Sequence, residues 1–299
     1  MRALKFFLLL MCAGPALAHG GQVYPGAQPG WTWDYWITGP LLVAAISYLV
    51  GWRRLYARAD RGKAILHRQA ALFLSGWLVL AAALVSPLHE AGERSFAAHM
   101  FEHELLMLAA APLLALSRPL TAILWAFPLQ TRRALGKATH SRPVSAIWEI
   151  LIGPVTATLL QSAALWIWHM PALFDRALAS TGWHTAQHLS FLITSLLFWT
   201  AMFGTAKRPN GIGVAALCLF VTSVTSGALG ALMAFSQSPW YRAYAELGIA
   251  PFGLSPVEDQ QLAGLLMWVP GGLVHAVAAL ILVRQMLQPN PARRLPDAV

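Results

Sequence analysis

The sequence predicts an all-α fold: a polytopic membrane bundle of about seven transmembrane helices. Three observations carry that reading. Of its 299 residues, 57% are hydrophobic and only 11% charged, against roughly 25% charged in soluble domains. Mean hydropathy is +0.56. Apolar stretches of about 20 residues recur along the chain, each long enough to cross ~30 Å of hydrocarbon.

The first 18 residues read as a signal peptide. Arg2 and Lys5 supply the positive start, Phe6 to Met11 a short apolar run, and Ala16-Leu17-Ala18 a cleavage site. Cleavage leaves His19 as the first residue and removes Cys12, so Cys218 remains alone in an apolar helix. That excludes an intrachain disulfide and a thiolate cluster. Residues 19–35 form a short periplasmic segment, 36–285 the transmembrane domain and 286–299 a cytoplasmic tail.

The seven spans fall near 36–52, 70–88, 96–117, 144–168, 184–205, 212–235 and 261–284. Trp36, Trp52, Trp166, Trp168 and Trp183 sit at segment ends, as an interfacial aromatic belt should. Residues 119–131, with Pro119 and Pro128 at either end, are too short to span and read as an interfacial or re-entrant piece. In the sixth span Ser223/Gly227 and Ser226/Gly230 are small-xxx-small pairs that let helices approach closely.

The loops sort by charge. The connections 53–69, 118–143 and 206–211, with the tail, hold 16 Lys or Arg, whereas the opposite side holds only Arg94, Arg176 and Arg242. By the positive-inside rule the mature N-terminus is outside and the C-terminus inside. The net charge of +9 is therefore a topology signal and not a nucleic-acid footprint. The implied location is a bacterial inner membrane.

Two histidine pairs, His99/His103 and His184/His188, share a four-residue spacing near the outer ends of their spans. Residues i and i+4 lie on one helix face, so each pair aims two imidazoles at one spot. Ligand-type side chains inside a membrane are costly and mark function by default. Seven of ten histidines fall at or near the outer side, with His67 and His140 in inner loops and His275 mid-span. Met100 is beside His99, Met107 one turn below His103, and Met170 follows His169. Imidazole with thioether suits copper, above all the cuprous ion.

Plainer readings stand beside this one. His99 and His103 have Glu102 and Glu104 as neighbours and can form a metal-free hydrogen-bonded network. His184 can cap its helix at the water boundary, His169 can sit in an interfacial turn before Pro171, and His275 can be a satisfied core histidine. His19 can chelate copper through its amine and ring. A b-type haem held by one histidine of each pair is the main alternative chemistry. A di-iron oxygenase lacks ligands, and a hydrolase lacks a recognisable nucleophile.

The run FAAHMFEHELLMLAAAPLLALSRPL (96–120) resembles the hallmark of the Bacillus-type CtaG family of caa-type cytochrome c oxidase assembly factors. WHMPALFD (168–175), HLSF after His184, Phe198-Trp199 and SPVEDQQLAGLLMWVPGG (255–272) match its later blocks in order. The resemblance implies a non-enzymatic role in maturing a haem-copper oxidase, with copper handling. It maps family histidines onto His99, His103, His169, His184 and His188. Asp259, Gln260, Met267 and Trp268 lie in the last block, and Asp259 is read as capping the seventh helix.

The resulting expectation is an outward-facing copper site made by His99, His103, His184 and His188, completed by His169 or Met100. His19, Met107, Met170, His275 and Asp259 are further candidates. Copper would pass from a periplasmic donor to a subunit of cytochrome c oxidase. Copper import or resistance, a haem b protein and a metal-free assembly scaffold are the alternatives. Whether the two pairs share one ion is open.

Overall fold

The computed structural model describes residues 29–208, 211–250 and 253–287. The predicted signal peptide, His19 and the tail lie outside the described residues. Within them the chain is a helical membrane bundle, as its composition predicts. Six helices are long and apolar enough to span, and a bent helix pair is a seventh when its two halves are counted as one span.

Helix α1 (Tyr35–Tyr56) starts where Asp34 accepts a hydrogen bond from the Trp36 N–H at 2.9 Å, an N-cap that satisfies one of four orphan donors. Helix α2 (Lys63–Val85) returns, and Ser86 caps the short α3 (Pro87–Gly92). The third span is the most buried of the set. It consists of α4 (Phe96–Glu104), a π-turn (Leu105–Ala110) and α5 (Ala111–Ser117). Arg118, at φ 50°, reverses the chain into α6 (Pro119–Trp125). The segment expected at the interface is thus a short helix, packed on α1 through Ala122.

The fourth span departs from expectation. Residues 144–168 do not form one straight helix. Following α7 (Leu129–Thr139), α8 (Arg142–Leu151) and α9 (Pro154–Trp168) meet at 66°. Pro154 has no N–H to continue the α8 ladder and is well suited to the first turn of a new helix. Helix α8 buries none of its residues and exposes Val144, Ile147, Trp148 and Ile150.

Helix α10 (Pro171–Ala179) leads into α11 (Thr181–Thr205), followed by α12 (Gly211–Ala234), α13 (Arg242–Leu247) and α14 (Pro256–Leu287). Helices α12 and α14 pack closely because Gly230 and Gly264 face each other. A Cβ on Gly230 would lie 2.7 Å from the Gly264 carbonyl oxygen. Leu217, Phe220, Val224, Leu273 and Leu280 point outward, the apolar surface that a lipid-facing bundle requires. Cys218 is buried among apolar neighbours.

Asp259 does not cap its own helix. Ser255 and Glu258 close a reciprocal capping box there, with Ser255 N–H to Glu258 Oε2 at 2.8 Å and Glu258 N–H to Ser255 Oγ at 3.3 Å. The Asp259 carboxylate instead crosses to the start of α4. It accepts from Ser95 Oγ at 2.7 Å, Phe96 N–H at 2.6 Å and Ala97 N–H at 3.3 Å. Its lone pairs are committed to a neighbouring helix end, where negative charge is favourable, so it is not a free metal donor.

Candidate metal centre

Helix α4 presents His99 and His103 on one face, and α11 presents His184 and His188 toward them. Ring centroids are 4.4 Å apart for His99–His103, 4.9 Å for His103–His188, 4.3 Å for His184–His188 and 5.2 Å for His99–His184. The two pairs therefore form one closed cluster. Nε2 of His103 and Nε2 of His188 are 3.0 Å apart. His99, His103 and His188 each offer a ring nitrogen within 4.8 Å of the others, and all three are buried.

Two further residues join that sequence reasoning did not place in the site. His89, on α3, stacks on His184 at 5.5 Å and bonds through Nδ1 to Glu102 Oε1 at 2.8 Å. The same carboxylate oxygen lies 3.9 Å from His188 Nδ1. Burial alone would lower the His89 pKa, but the hydrogen bond and charge of Glu102 outweigh it and hold the imidazole above its ordinary value. Glu102 was visible only as a neighbour of the first pair. His89 belongs to a separate short helix, and its sequence position names no partner.

Hydrogen bonding fixes one tautomer. Tyr244 donates its single hydroxyl proton to the Gly92 carbonyl at 2.6 Å, so its oxygen accepts from His99 Nδ1 at 3.1 Å. His99 Nε2 is then a bare lone pair, and it has no hydrogen-bond partner. His103 Nδ1, His184 Nε2 and Glu102 Oε2 are likewise buried atoms without partners. Buried polar atoms are normally satisfied. His99, His103 and His188 each bring one ring nitrogen within 4.8 Å of the others. The 3.0 Å between Nε2 of His103 and Nε2 of His188 is close to the ~3.3 Å spacing of imidazole nitrogens in a tetrahedral shell with ~2.0–2.1 Å bonds. His184 packs beside them but is not one of these three.

The other candidates lie elsewhere. His169 donates from Nδ1 to the Leu165 carbonyl at 2.7 Å, and its Nε2 faces Met100 Sδ at 3.3 Å. Phe174 and Phe191 each contact a cluster histidine on one side and His169 on the other. His169 and Met100 thus form a neighbouring pair, separated from the cluster by these two phenylalanine rings. Tyr241 holds the His169 carbonyl from above at 3.0 Å. Met170 is exposed.

Met107 is not in line with His103. The π-turn begins between them, and such a turn shifts the phase of everything below it. The Met107 sulfur accepts from Gln161 Nε2 at 3.3 Å, and its carbonyl accepts from Trp199 Nε1 at 2.9 Å. Here lies a second polar pocket, a cavity of about 20 Å³ lined by Glu104, Gln161, Thr222, Ser226 and His275 among others. It is large enough for a single water. His275 donates to the Gly271 carbonyl at 2.7 Å and stacks on Trp199, well away from the four-histidine cluster.

Fold and site together define a polytopic helical membrane protein with a histidine cluster buried near one end of the bundle. The chain belongs to the cytochrome c oxidase caa3 assembly factor (CtaG) family, whose pattern matches residues 46–289. It is 28% identical over 256 residues to the uncharacterized protein Mb0105 of Mycobacterium bovis, covering 80% of this chain and 36% of that one. The uncharacterized protein ML1998 of Mycobacterium leprae is 25% identical over 266 residues, 85% of this chain and 39% of that protein. The chain thus spans well under half the length of these curated relatives. No solved structure matches it.

Proposed function

We propose that this protein serves the assembly of a cytochrome c oxidase by holding copper in the histidine cluster and passing it to an oxidase subunit within the bilayer. One observation carries the reading. Four imidazoles from two H-x-x-x-H helices converge, and several of their ring nitrogens are buried without partners. The lack of thiolates sets the cluster apart from structural zinc sites. Imidazole ligands suit copper, and the Met100 thioether lies next to the cluster on His169. The loop charge asymmetry assigns this end of the bundle to the outside, the side on which a periplasmic donor would deliver the ion.

Copper is cargo in this scheme, so the site must release as well as bind. The His169–Met100 pair supports such a step. Its imidazole nitrogen carries no proton, because Nδ1 already donates to Leu165, and it faces a thioether at 3.3 Å. That is a softer, two-donor station beside a harder histidine set, and ligand exchange between them gives the ion a route out. The His89–Glu102 pair buttresses the cluster as outer partners do in metal sites generally.

The geometry weighs against haem. A haem held by one histidine of each pair would need room for its macrocycle between the two rings, and His103 and His188 leave none. Nε2 of His103 and Nε2 of His188 are 3.0 Å apart. Elemental analysis and an absorption spectrum of detergent-purified protein test the proposal. The expected result is stoichiometric copper after loading and no Soret band. A Soret band would replace it with the haem reading, and neither signal would leave a metal-free scaffold.

A further inference from the structure

At the end opposite the histidines, three arginines converge on one tryptophan. Arg132, one turn into α7, places its guanidinium 4.1 Å from the centre of the Trp125 ring. Arg58, just beyond α1, lies 5.5 Å from the same ring. Arg54 donates to the Ala126 carbonyl at 2.7 Å and so locks the end of α6 to α1. This convergence is built by close packing. A Cβ on Gly51 would collide with the Ala122 carbonyl, so only glycine lets α1 run against α6 and bring Arg54 and Arg58 to Trp125.

None of the ion pairs seen among the described residues, such as His89–Glu102 and Arg242–Glu246, includes Arg54, Arg58 or Arg132. Arg132 Nε is moreover buried without a hydrogen-bond partner. Two guanidiniums held 4.1 and 5.5 Å from the centre of one indole ring, neither with a carboxylate partner among the described residues, suit an anion with several acceptor oxygens. The place decides which anion. Tryptophan and arginine at a span end sit at headgroup depth. Helix α7 continues along the same end with no buried residue of its own, as surface-lying helices do.

We infer that Arg58, Arg132 and Trp125 form a headgroup site for one anionic phospholipid, its phosphodiester held between the two guanidiniums over the indole. The inference is independent of any metal. Arg133 and Lys137, exposed on the same helix, supply an internal control. They carry the same charge toward the same surface but do not touch Trp125 in the structure.

Native mass spectrometry of the full chain in detergent, titrated with phosphatidylglycerol or phosphatidylcholine, tests it. The intact protein is expected to retain phosphatidylglycerol selectively. The double variant Arg58→Gln/Arg132→Gln should bind it at least about 10-fold more weakly, the loss expected for one hydrogen bond to a charged group. Trp125→Leu should weaken it with charge unchanged, and Arg133→Gln/Lys137→Gln should leave it as it was. Equal loss in the two double variants would overturn the site in favour of diffuse surface charge. Displacement of the lipid by excess inorganic phosphate would overturn the assignment to a lipid. If Trp125→Leu fails to fold, the single variant Arg58→Gln, at an exposed side chain, compared with Arg133→Gln/Lys137→Gln still decides the matter.

Discussion

The two polar pockets of the third span differ in how they meet their hydrogen-bonding needs. Below the π-turn, His275 is bonded to Gly271, Gln161 to both Met107 and Ser195, and Trp199 to the Met107 carbonyl. Glu104 Oε2 is the one atom lining that pocket that is buried without a partner. Above the turn, His99, His103, His184 and Glu102 each keep one buried atom unmatched. Polar groups in a bilayer core are ordinarily matched to one another. A mostly satisfied pocket reads as packing, and an unsatisfied one as a place reserved for something else.

That contrast can be broken by substitution. The largest effect is expected for His103→Ala/His188→Ala, which should abolish stoichiometric copper binding in elemental analysis, whereas His275→Phe should retain it. Loss of copper in the His275 variant would show that both pockets bind and erase the distinction. Next, Glu102→Gln removes the charge that orients His89 and should weaken copper affinity by about 10–100-fold, the usual cost of losing an outer partner. A competition titration against a calibrated chelator reads that value.

Smaller effects concern stability rather than metal. Asp259→Ala strips Ser95, Phe96 and Ala97 of their acceptor and should destabilise the fold by about 1–3 kcal/mol, measured by denaturant unfolding in micelles. Smallest is Gln161→Leu, in the satisfied pocket. It should cost about 0.6 kcal/mol, the average for interhelical hydrogen bonds in membranes, with copper content unaltered. A drop in copper there would tie the lower pocket to the upper.

The sequence carried the bundle and the histidine pairs, because both rest on local periodicity. Length and hydropathy predict spans without knowledge of neighbours, and i, i+4 spacing predicts a shared face. What it did not carry was tertiary. His89 and Tyr244 enter the site from short helices whose sequences contain no spacing signal. Capping preferences are local and point Asp259 to its own helix, but its partners lie 162 to 164 residues away. Met107 was misplaced for a different reason. A single π-turn shifts the helical phase, and nothing in the run LLMLAA marks it. The break at Gly153-Pro154 was written in the sequence, but the apolar run across it read as one continuous span.

The bond from Asp259 to the start of α4 also sets an order in time. A membrane chain is made from its N-terminus onward, so the third span reaches the bilayer long before the seventh is translated. Until then the first turn of α4 has no carboxylate to meet its N–H groups, and Tyr244 has yet to be placed over His99. The histidine cluster therefore gains its full support only after the last helix is inserted. A chain truncated before it would present the two histidine pairs without that carboxylate at the start of α4.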